Sequence, residues 1–260
     1  MNCYEKVRDK LSRSELVTGA GVSLKDGMIS EIFANAGFDF LWIDMEHSSL
    51  TLEACDAHVS ALRGTDTAAW IRVPSSDPMA IKPILDLNPA GVIVPQIGSV
   101  ADARRAVAAC RYPPHGIRGF GPRRGIRYGL LDTETYLERS REEPLVILQI
   151  EHINAVNEIE AILDTPGIGS LCFGPNDLSG SMGLMGQTTH PRVLEAVDHV
   201  IAACRRRKVY CGTSIGYSPD LVRRWIARGI HWIQTSSDWS ILQDTACSVA
   251  RDLRSLKPIL

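Results

Sequence analysis

Residues 36–48 read AGFDFLWIDMEHS, and the order of residue types within this stretch indicates how the whole chain is built. Gly37 is a typical residue for the end of a helix. The apolar run after it is long enough for one buried strand, and acids and a histidine follow where that strand ends. A strand that is apolar throughout is typical of a parallel sheet whose two faces are both covered by helices.

Similar apolar runs, each followed by a segment with helical spacing, recur along the chain. They predict strands at residues 17–22, 38–43, 68–73, 91–94, 145–150, 168–173, 209–213 and 230–235. The segments after them predict helices at residues 27–36, 52–63, 77–86, 100–110, 153–163, 191–207, 218–228 and 238–255. Eight strand–helix units in 260 residues are typical of a closed (β/α)8 barrel, or TIM barrel. We therefore expect a single α/β barrel domain that takes up residues 1–260.

Composition and charge narrow the class of protein. The formal net charge is −2 and no long basic run occurs, so we expect no nucleic-acid partner. No apolar stretch approaches the roughly 20 residues of a membrane-spanning helix, and the polar start lacks the apolar core of a secretion signal. The seven cysteines contain no Cys-x-x-Cys pair, which argues against a zinc or disulfide framework. We expect a cytoplasmic protein that does not bind membranes.

Polar residues follow most of the predicted strands. In barrels of this type, functional side chains gather where the strands end and the next loops begin. The residues at these positions are Asp44, Glu46, His47, Arg72, Gln96, Glu151, Asn176 and Asp177. Because the strands of a parallel barrel all end at the same side, we expect these residues to share one rim.

Glu151 and Asp177 follow neighbouring strands and form a candidate metal-binding pair. Two carboxylates with water completing the coordination suit the hard cations Mg²⁺ and Mn²⁺. The alternative is that each acid only opens the helix after it, because acids favour helix N-termini. The presence of His47 and Arg72 at the same rim favours the metal site.

Arg72 lies inside an apolar run, where a guanidinium is costly to bury unless it points into a wet, anionic site. A fixed cation of this kind suits the developing oxygen of an enolate. His47 is a candidate general acid or base because imidazole titrates near neutral pH; a histidine that only satisfies a loop is the alternative. The turn at residues 174–179 offers backbone N–H groups that can hold a carboxylate, although the same residues are typical of an ordinary turn.

The longest irregular stretch, residues 112–132, reads YPPHGIRGFGPRRGIRYGLLD. A loop of this length inside a compact domain is usually functional or disordered. Its cations Arg123 and Arg124 either meet an acidic substrate or lie on a plain solvated loop, and the sequence leaves both readings open.

Several motifs in this order make a family resemblance visible. They are AGFDFLWIDMEHS (36–48), IRVP (71–74), IKPILDLNPAGVIVPQIGS (81–99), RYPPHGIRGFGP (111–122), LQIE (148–151) and FGPNDLSGSMG (173–183). On these motifs the chain resembles the HpcH/HpaI aldolases, metal-dependent class II aldolases of 2-oxo acids. Their relatives include 2-dehydro-3-deoxyglucarate aldolase, 4-hydroxy-2-oxoheptanedioate aldolase and macrophomate synthase. The resemblance implies a barrel of the phosphoenolpyruvate/pyruvate type.

The resemblance also implies roles in proton transfer. His47 is similar to the general acid/base of the family. Asp86, in the helix after the third strand, is similar to the acid that raises the basicity of that histidine. Asp44 is similar to a further polar member of the site, and Arg72 is similar to the residue that stabilises the enolate.

For binding, the resemblance implies that Glu151 and Asp177 are the ligands of a divalent cation, Mg²⁺ or Mn²⁺ with Co²⁺ as a further candidate. Gln149 is similar to a residue that contacts the bound oxo acid. The backbone at Asn176 and Asp177 is similar to the part of the family site that holds the carboxylate of the oxo acid.

The implied reaction is aldol cleavage or condensation of a 4-hydroxy-2-oxo acid to pyruvate, or a related 2-oxo acid, and an aldehyde through a metal-stabilised enolate. Oxaloacetate-type decarboxylation at the same site and a non-catalytic oxo-acid-binding barrel are the alternatives. The resemblance implies a homo-oligomer, a hexamer or a trimer, in which the helix at residues 238–255 is exchanged between subunits.

Three places depart from the family pattern. One is Asn176, which stands after Gly-Pro where a small or apolar residue is usual. Many members carry a tryptophan in the first strand, whereas residues 18–23 here read TGAGVS without an aromatic residue. Ser214 and Ile215 stand near the place where an apolar residue usually limits the pocket. These departures leave the aldehyde open and imply a roomier or more polar pocket.

Overall fold

The computed structural model describes residues 2–256, and these form a closed barrel of eight parallel strands in the order β1 to β8. The strands are β1 Val17–Val22, β2 Phe40–Asp44, β3 Ala68–Arg72, β4 Gly91–Ile97, β5 Leu145–Ile150, β6 Ser170–Phe173, β7 Tyr210–Ile215 and β8 Trp232–Ser237. The predicted (β/α)8 barrel is confirmed. Residue 1 and residues 257–260 of the predicted 1–260 domain lie outside the described residues.

The twelve helices that the structure describes surround the strands. They are α1 Tyr4–Ser12, α2 Met28–Asn35, α3 Leu52–Ala61, α4 Pro78–Asp86, α5 Val100–Cys110, α6 Thr133–Arg139, α7 Ile153–Asn157, α8 Ile159–Leu163, α9 Pro175–Ser181, α10 Pro191–Arg207, α11 Pro219–Arg228 and α12 Asp238–Ser255. The eight predicted helices are present, but the one at residues 153–163 is divided into α7 and α8. Helices α1, α6 and α9 were not predicted, because each is short or carries no clear apolar period.

Residue types at the helix ends explain where several helices begin and end. The Thr51 side chain accepts a hydrogen bond from the Ala54 N–H at 3.2 Å at the start of α3. Gly229 ends α11 with φ +97°, a left-handed conformation that side chains disfavour. Ser218 precedes the helical Pro219, a sequence typical of a helix start, but its side chain makes no capping hydrogen bond to α11.

Residues along each strand alternate between two apolar clusters. One cluster lies between the strands and the outer helices, and it contains residues such as Leu41, Ile71 and Leu148. The other fills the barrel interior, where the Phe40 ring stacks on Trp70 at 3.9 Å between centroids. The strands are apolar on both faces because each face packs against one of these clusters.

The interior is arranged in layers that become polar toward the C-terminal ends of the strands. When the register is followed with a stagger of about one residue per strand, one layer contains Trp42, Ile93, Cys172 and Gln234. The next layer up contains Gly21, Arg72, Gln149 and Ser214. The apolar core therefore stops one layer below the rim, and a polar pocket lies above it.

Helix α12 packs on the barrel only near its start. The buried Asp238 carboxylate accepts hydrogen bonds from the Ser23 N–H at 2.8 Å and the Leu24 N–H at 2.7 Å. Side chains from residue 241 to residue 256 are all exposed, apolar ones included. Among residues 2–256, we find no helix with the length and apolar character that a bilayer-spanning segment needs.

Candidate active site

Arg72 is held by two acids at the C-terminal mouth of the barrel. Its Nε donates to Asp44 Oδ1 at 2.9 Å and its Nη2 to Asp44 Oδ2 at 2.5 Å, so the pair is bidentate. Its Nη1 lies 2.9 Å from Glu46 Oε2, and the guanidinium lies over the Trp42 ring at 5.2 Å. The side chain is 11% exposed, and these contacts leave some of its N–H groups available to a substrate oxygen.

Glu46 lies beneath His47 as the second acid on Arg72. Its side chain is only 7% exposed, and burial raises its pKa while the charge of Arg72 opposes that shift. The His47 Nε2 atom lies 3.8 Å from Glu46 Oε2, and the imidazole is 67% exposed. His47 is thus beside the acidic cluster and free to meet a substrate.

Glu151 is buried at the end of β5 and receives two hydrogen bonds. The Gln96 backbone N–H donates to its Oε1 at 2.6 Å, and Gln149 Nε2 donates to its Oε2. Burial raises the pKa of Glu151, and these two hydrogen bonds oppose the shift. Gly174 lets the next strand pass close by, because a Cβ there would lie 3.2 Å from Glu151 Oε2.

Asp177 lies in the first turn of α9, beside Asn176, and both side chains are exposed at the mouth. Asp177 follows β6 and Glu151 follows β5, so the two acids come after neighbouring strands, and the charge of Asp177 is one contribution to the raised pKa of Glu151. The buried Gln149 Oε1 has no hydrogen-bond partner in the described residues. The free Gln149 oxygen, next to Glu151, could accept a hydrogen bond from a water molecule bound to a metal ion or from a substrate.

The donor set of this site fits a divalent cation. Four acidic side chains, those of Asp44, Glu46, Glu151 and Asp177, gather at this mouth with one arginine, Arg72. The mouth therefore has more acidic than basic side chains. Within residues 2–256, no three His, Cys, Asp or Glu side chains are placed to ligate a single ion. A cation on Glu151 and Asp177 would therefore take its other ligands from water and substrate, as Mg²⁺ usually does.

Comparisons with known proteins agree with this geometry. A sequence model of the family described as HpcH/HpaI aldolase/citrate lyase matches residues 22–244. The chain belongs to the HpcH/HpaI aldolase/citrate lyase family. The resemblance read from the motifs is confirmed, and the protein is a carbon–carbon lyase of the aldolase type.

Relatives in the HpcH/HpaI family match over nearly the whole chain. The hydroxypyruvate/pyruvate aldolase of Chromohalobacter salexigens is 34% identical and the match covers 88% of this chain and 89% of that protein. The 5-keto-4-deoxy-D-glucarate aldolase of Klebsiella pneumoniae is 30% identical, with 94% and 95% covered. The crystal structure of an HpcH/HpaI aldolase from Desulfitobacterium hafniense has a TM-score of 0.90 and 28% identity, with 97% and 98% covered.

The structure brings most of the predicted site residues of this aldolase to one rim. They are Asp44, His47, Arg72, Gln149, Glu151, Asn176 and Asp177. Asp86 is the one predicted site residue that does not lie at the rim of its own barrel. It is the last residue of α4, and its Oδ1 accepts a hydrogen bond from Arg118 Nη2 at 2.9 Å. A nine-residue helix is about 13 Å long, so Asp86 lies toward the opposite end of the barrel from Arg72.

Two residues at the rim were not assigned a role from the sequence, namely Glu46 and Gln96. Glu46 stands in the same Asp-x-Glu-His motif as His47, and only its burial against Arg72 distinguishes it from a solvated acid. Gln96 has φ +60° within a bulge of β4, where its backbone donates to Glu151 and its Nε2 donates to Glu46 Oε1 at 3.2 Å. The residue types give no indication that Gln96, which follows Pro95, adopts a left-handed backbone conformation.

The loop at residues 112–132 wraps over the outside of α4 and α3. Arg124 donates to Asp56 on α3, and its side chain is largely buried. Arg123 is exposed. In a single chain Arg124 therefore serves to fix the loop, and the structure does not place it at the rim of its own barrel.

Proposed function

We propose that this chain catalyses the metal-dependent aldol cleavage of a 4-hydroxy-2-oxo acid to pyruvate, or a related 2-oxo acid, and an aldehyde, and the reverse condensation. The observation that carries the proposal is the clamped Arg72 beside the Glu151 and Asp177 pair at one polar mouth. This arrangement offers positive charge where an oxo-acid oxygen becomes negative. The activities named for the two relatives support a 2-oxo acid as substrate.

Glu151 and Asp177 would hold the cation, with Mg²⁺ or Mn²⁺ favoured and Co²⁺ a further candidate. When bound there, it supplies Lewis-acid polarisation of the keto oxygen. Hard carboxylate ligands favour these ions over soft ones. Gln149 Oε1, which is buried and has no partner among residues 2–256, would accept from a water or substrate group at the same place.

Other groups at the rim would transfer the proton, stabilise negative charge and orient the substrate. His47 would take the proton from the substrate hydroxyl during cleavage, because its imidazole is exposed beside the cluster. Arg72 would donate hydrogen bonds to the oxygen that gains negative charge. The first-turn N–H groups at Asn176 and Asp177 would orient the substrate carboxylate. Asp86 remains a predicted partner of the histidine, and from its place on α4 it would have to act on another copy.

The test is condensation of pyruvate with hydroxyaldehydes, measured with Mg²⁺, Mn²⁺ or Co²⁺ and again after EDTA. We expect activity with a divalent cation, loss with EDTA and recovery on adding metal back. Exchange of the C3 protons of pyruvate in D₂O gives a readout that needs no aldehyde. Full activity in EDTA, or in a variant with Glu151→Ala and Asp177→Ala together, contradicts the proposal. Glu158→Ala, an exposed acid on the outside of the barrel, is the matched control.

Decarboxylation of oxaloacetate is the second candidate. It yields the same enolate without proton removal from a hydroxyl group. The His47 side chain is exposed, and its Nε2 lies 3.8 Å from Glu46 Oε2, beyond hydrogen-bonding distance. Measuring both reactions in wild type and in His47→Asn separates the two. Loss of aldol cleavage with decarboxylation retained is expected for the proposed function, whereas a wild type that only decarboxylates supports the alternative.

We propose further that the protein is a homo-oligomer in which α12 packs on another copy. An apolar stripe runs along this helix, formed by Trp239, Leu242, Val249 and Leu253, and all four are exposed. Met28 and Ile32 on α2, and Ile226 on α11, are exposed on the barrel side that a covering helix would protect. Because one chain carries both the stripe and the uncovered face, a second copy is the natural occupant.

A further inference from the structure

Ser214 occupies the same interior layer as Arg72 and Gln149. The layer is completed by Gly21, which has no side chain. Because the odd-numbered strands supply this layer, Ser214 on β7 lies across the barrel from Arg72 on β3. Ser214 is half-buried, and its strand lies on the opposite side of the barrel from β3, which carries Arg72.

The hydroxyl of Ser214 is oriented by Gln234. Gln234 Nε2 donates to the Ser236 carbonyl, and this assigns Oε1 to the side that faces Ser214. Since an amide oxygen can only accept, the Ser214 hydroxyl must donate to it. The Ser214 hydroxyl proton is therefore engaged in this hydrogen bond, and the oxygen can act toward a ligand only as an acceptor.

Gln234 has little freedom to turn. Its side chain is buried beneath the pocket, with the residue 4% exposed. It lies in the space that a side chain at Gly21 would take, because a Cβ there would be 3.1 Å from Gln234 Nε2 and 2.6 Å from Ser237 Oγ. Glycine in β1 is therefore required for the polar wall that β7, β8 and β1 form.

We infer that Ser214 accepts a hydrogen bond from a hydroxyl group of the aldehyde, so that the enzyme selects hydroxyaldehydes over their deoxy counterparts. This rests on the proposed aldolase function. An oriented acceptor pairs with an O–H donor and offers nothing to a carboxylate or a carbonyl oxygen. Ser214 is thus a specificity residue and Gln234 is a positioning residue.

The experiment compares condensation of pyruvate with glycolaldehyde and with acetaldehyde, and with glyceraldehyde and propionaldehyde, under saturating metal. In Ser214→Ala we expect kcat/KM for the hydroxylated member of each pair to fall about 10-fold, with the deoxy member unchanged. Gln234→Met, which lets the serine proton turn, is expected to reduce the same selectivity ratio. Ser218→Ala, an exposed serine of the following loop, is the matched control and should behave as wild type.

The outcomes separate this inference from the function on which it rests. Exchange of the pyruvate C3 protons needs no aldehyde, and we expect it in wild type and in all three variants. If the pyruvate protons exchange but Ser214→Ala leaves the selectivity ratio unaltered, the role of Ser214 is wrong and the aldolase proposal stands. Equal losses of kcat/KM for both members of a pair lead to the same conclusion. A wild type without exchange or condensation overturns the aldolase proposal and this inference together.

Discussion

The guanidinium of Arg72 touches both acids of the Asp-x-Glu-His motif, and this fixes its plane across the barrel mouth. Bidentate pairing needs the planar fork of arginine, and an ammonium group cannot reproduce it. We therefore expect Asp44 and Glu46 to act on the proposed chemistry through Arg72, by holding its remaining N–H groups where a substrate oxygen would lie.

Arg72→Lys keeps the positive charge and loses this orientation. We expect kcat for condensation to fall by about 10²–10³-fold, with the circular dichroism spectrum and the melting temperature near those of wild type. Arg63→Lys, an exposed arginine after α3, serves as the control. A variant that keeps most of the wild-type kcat contradicts the role of the fork.

Gly174 is a second single position with a defined consequence. A Cβ there would lie 3.2 Å from Glu151 Oε2 and 3.3 Å from Gln149 Nε2, so Gly174→Ala pushes on the proposed metal ligand and on its hydrogen-bond donor. We expect the affinity for Mn²⁺ to fall about 10-fold to 100-fold, measured by titration calorimetry. Gly216→Ala is the control because no atom of the described part of the chain lies within 4 Å of the added Cβ. Equal affinities in the two variants contradict the metal site.

At the scale of elements, His58 joins α3 to α2 and to the loop after β1. Its Nδ1 accepts from the Ser30 hydroxyl at 2.9 Å, and its Nε2 donates to the Leu24 carbonyl at 2.8 Å. Both ring nitrogens are occupied in the neutral form. The same loop is held by Asp238 at the start of α12, so these contacts connect three helices around the β1–β8 seam.

The stability of this junction depends on pH. Burial lowers the pKa of His58 below its ordinary value of 6.5, although the hydrogen bond to Leu24 opposes the shift. The folded chain thus binds a proton less readily than the unfolded chain, and stability is full above 6.5 and declines as the pH falls below it. From about pH 7.5 to about pH 5.5, we expect a larger fall in melting temperature for wild type than for His58→Gln.

The control for this prediction is His199→Gln, which changes an exposed histidine of α10. It should follow the pH dependence of the wild type. Parallel curves for wild type and His58→Gln would show that protonation of His58 does not cause the loss.

The elements themselves were largely predictable, and the exceptions have physical reasons. A strand buried on both faces is mostly apolar, so β3 and β5 are evident from residue type. Each carries one polar residue near its end, Arg72 and Gln149. Helix α9 is only seven residues long and begins at Pro175, so its sequence could equally be a turn. The loop at 112–132 was recognised as irregular, but its course over α4 and α3 is set by distant ion pairs such as Arg118 with Asp86.

At the scale of the whole molecule, α12 leaves its own barrel uncovered. Placing a carboxylate on an apolar stripe that another copy buries costs more than the roughly 1.5–3 kcal/mol gained by burying one leucine. For Leu242→Glu with Leu253→Glu we expect a smaller assembly than wild type in size-exclusion chromatography with light scattering. Gln243→Glu, on the same exposed helix, should leave the assembly unchanged. A wild type that is already monomeric contradicts the proposed oligomer.

The amino-acid sequence was sufficient to predict the barrel and the polar residues at its rim from Asp44 to Asp177. An apolar run and the polar residues directly after it are neighbours in the chain, so both are visible without the tertiary structure. The tertiary structure alone revealed that Glu46 is buried against Arg72, that Gln96 turns its backbone toward Glu151, and that Asp86 lies away from the rim of its own chain. It also brought Ser214, Gln234 and Gly21 into one polar wall. These contacts depend on how the strands are aligned around the closed barrel. That alignment brings together residues far apart in the chain, and no regular pattern in the sequence indicates it.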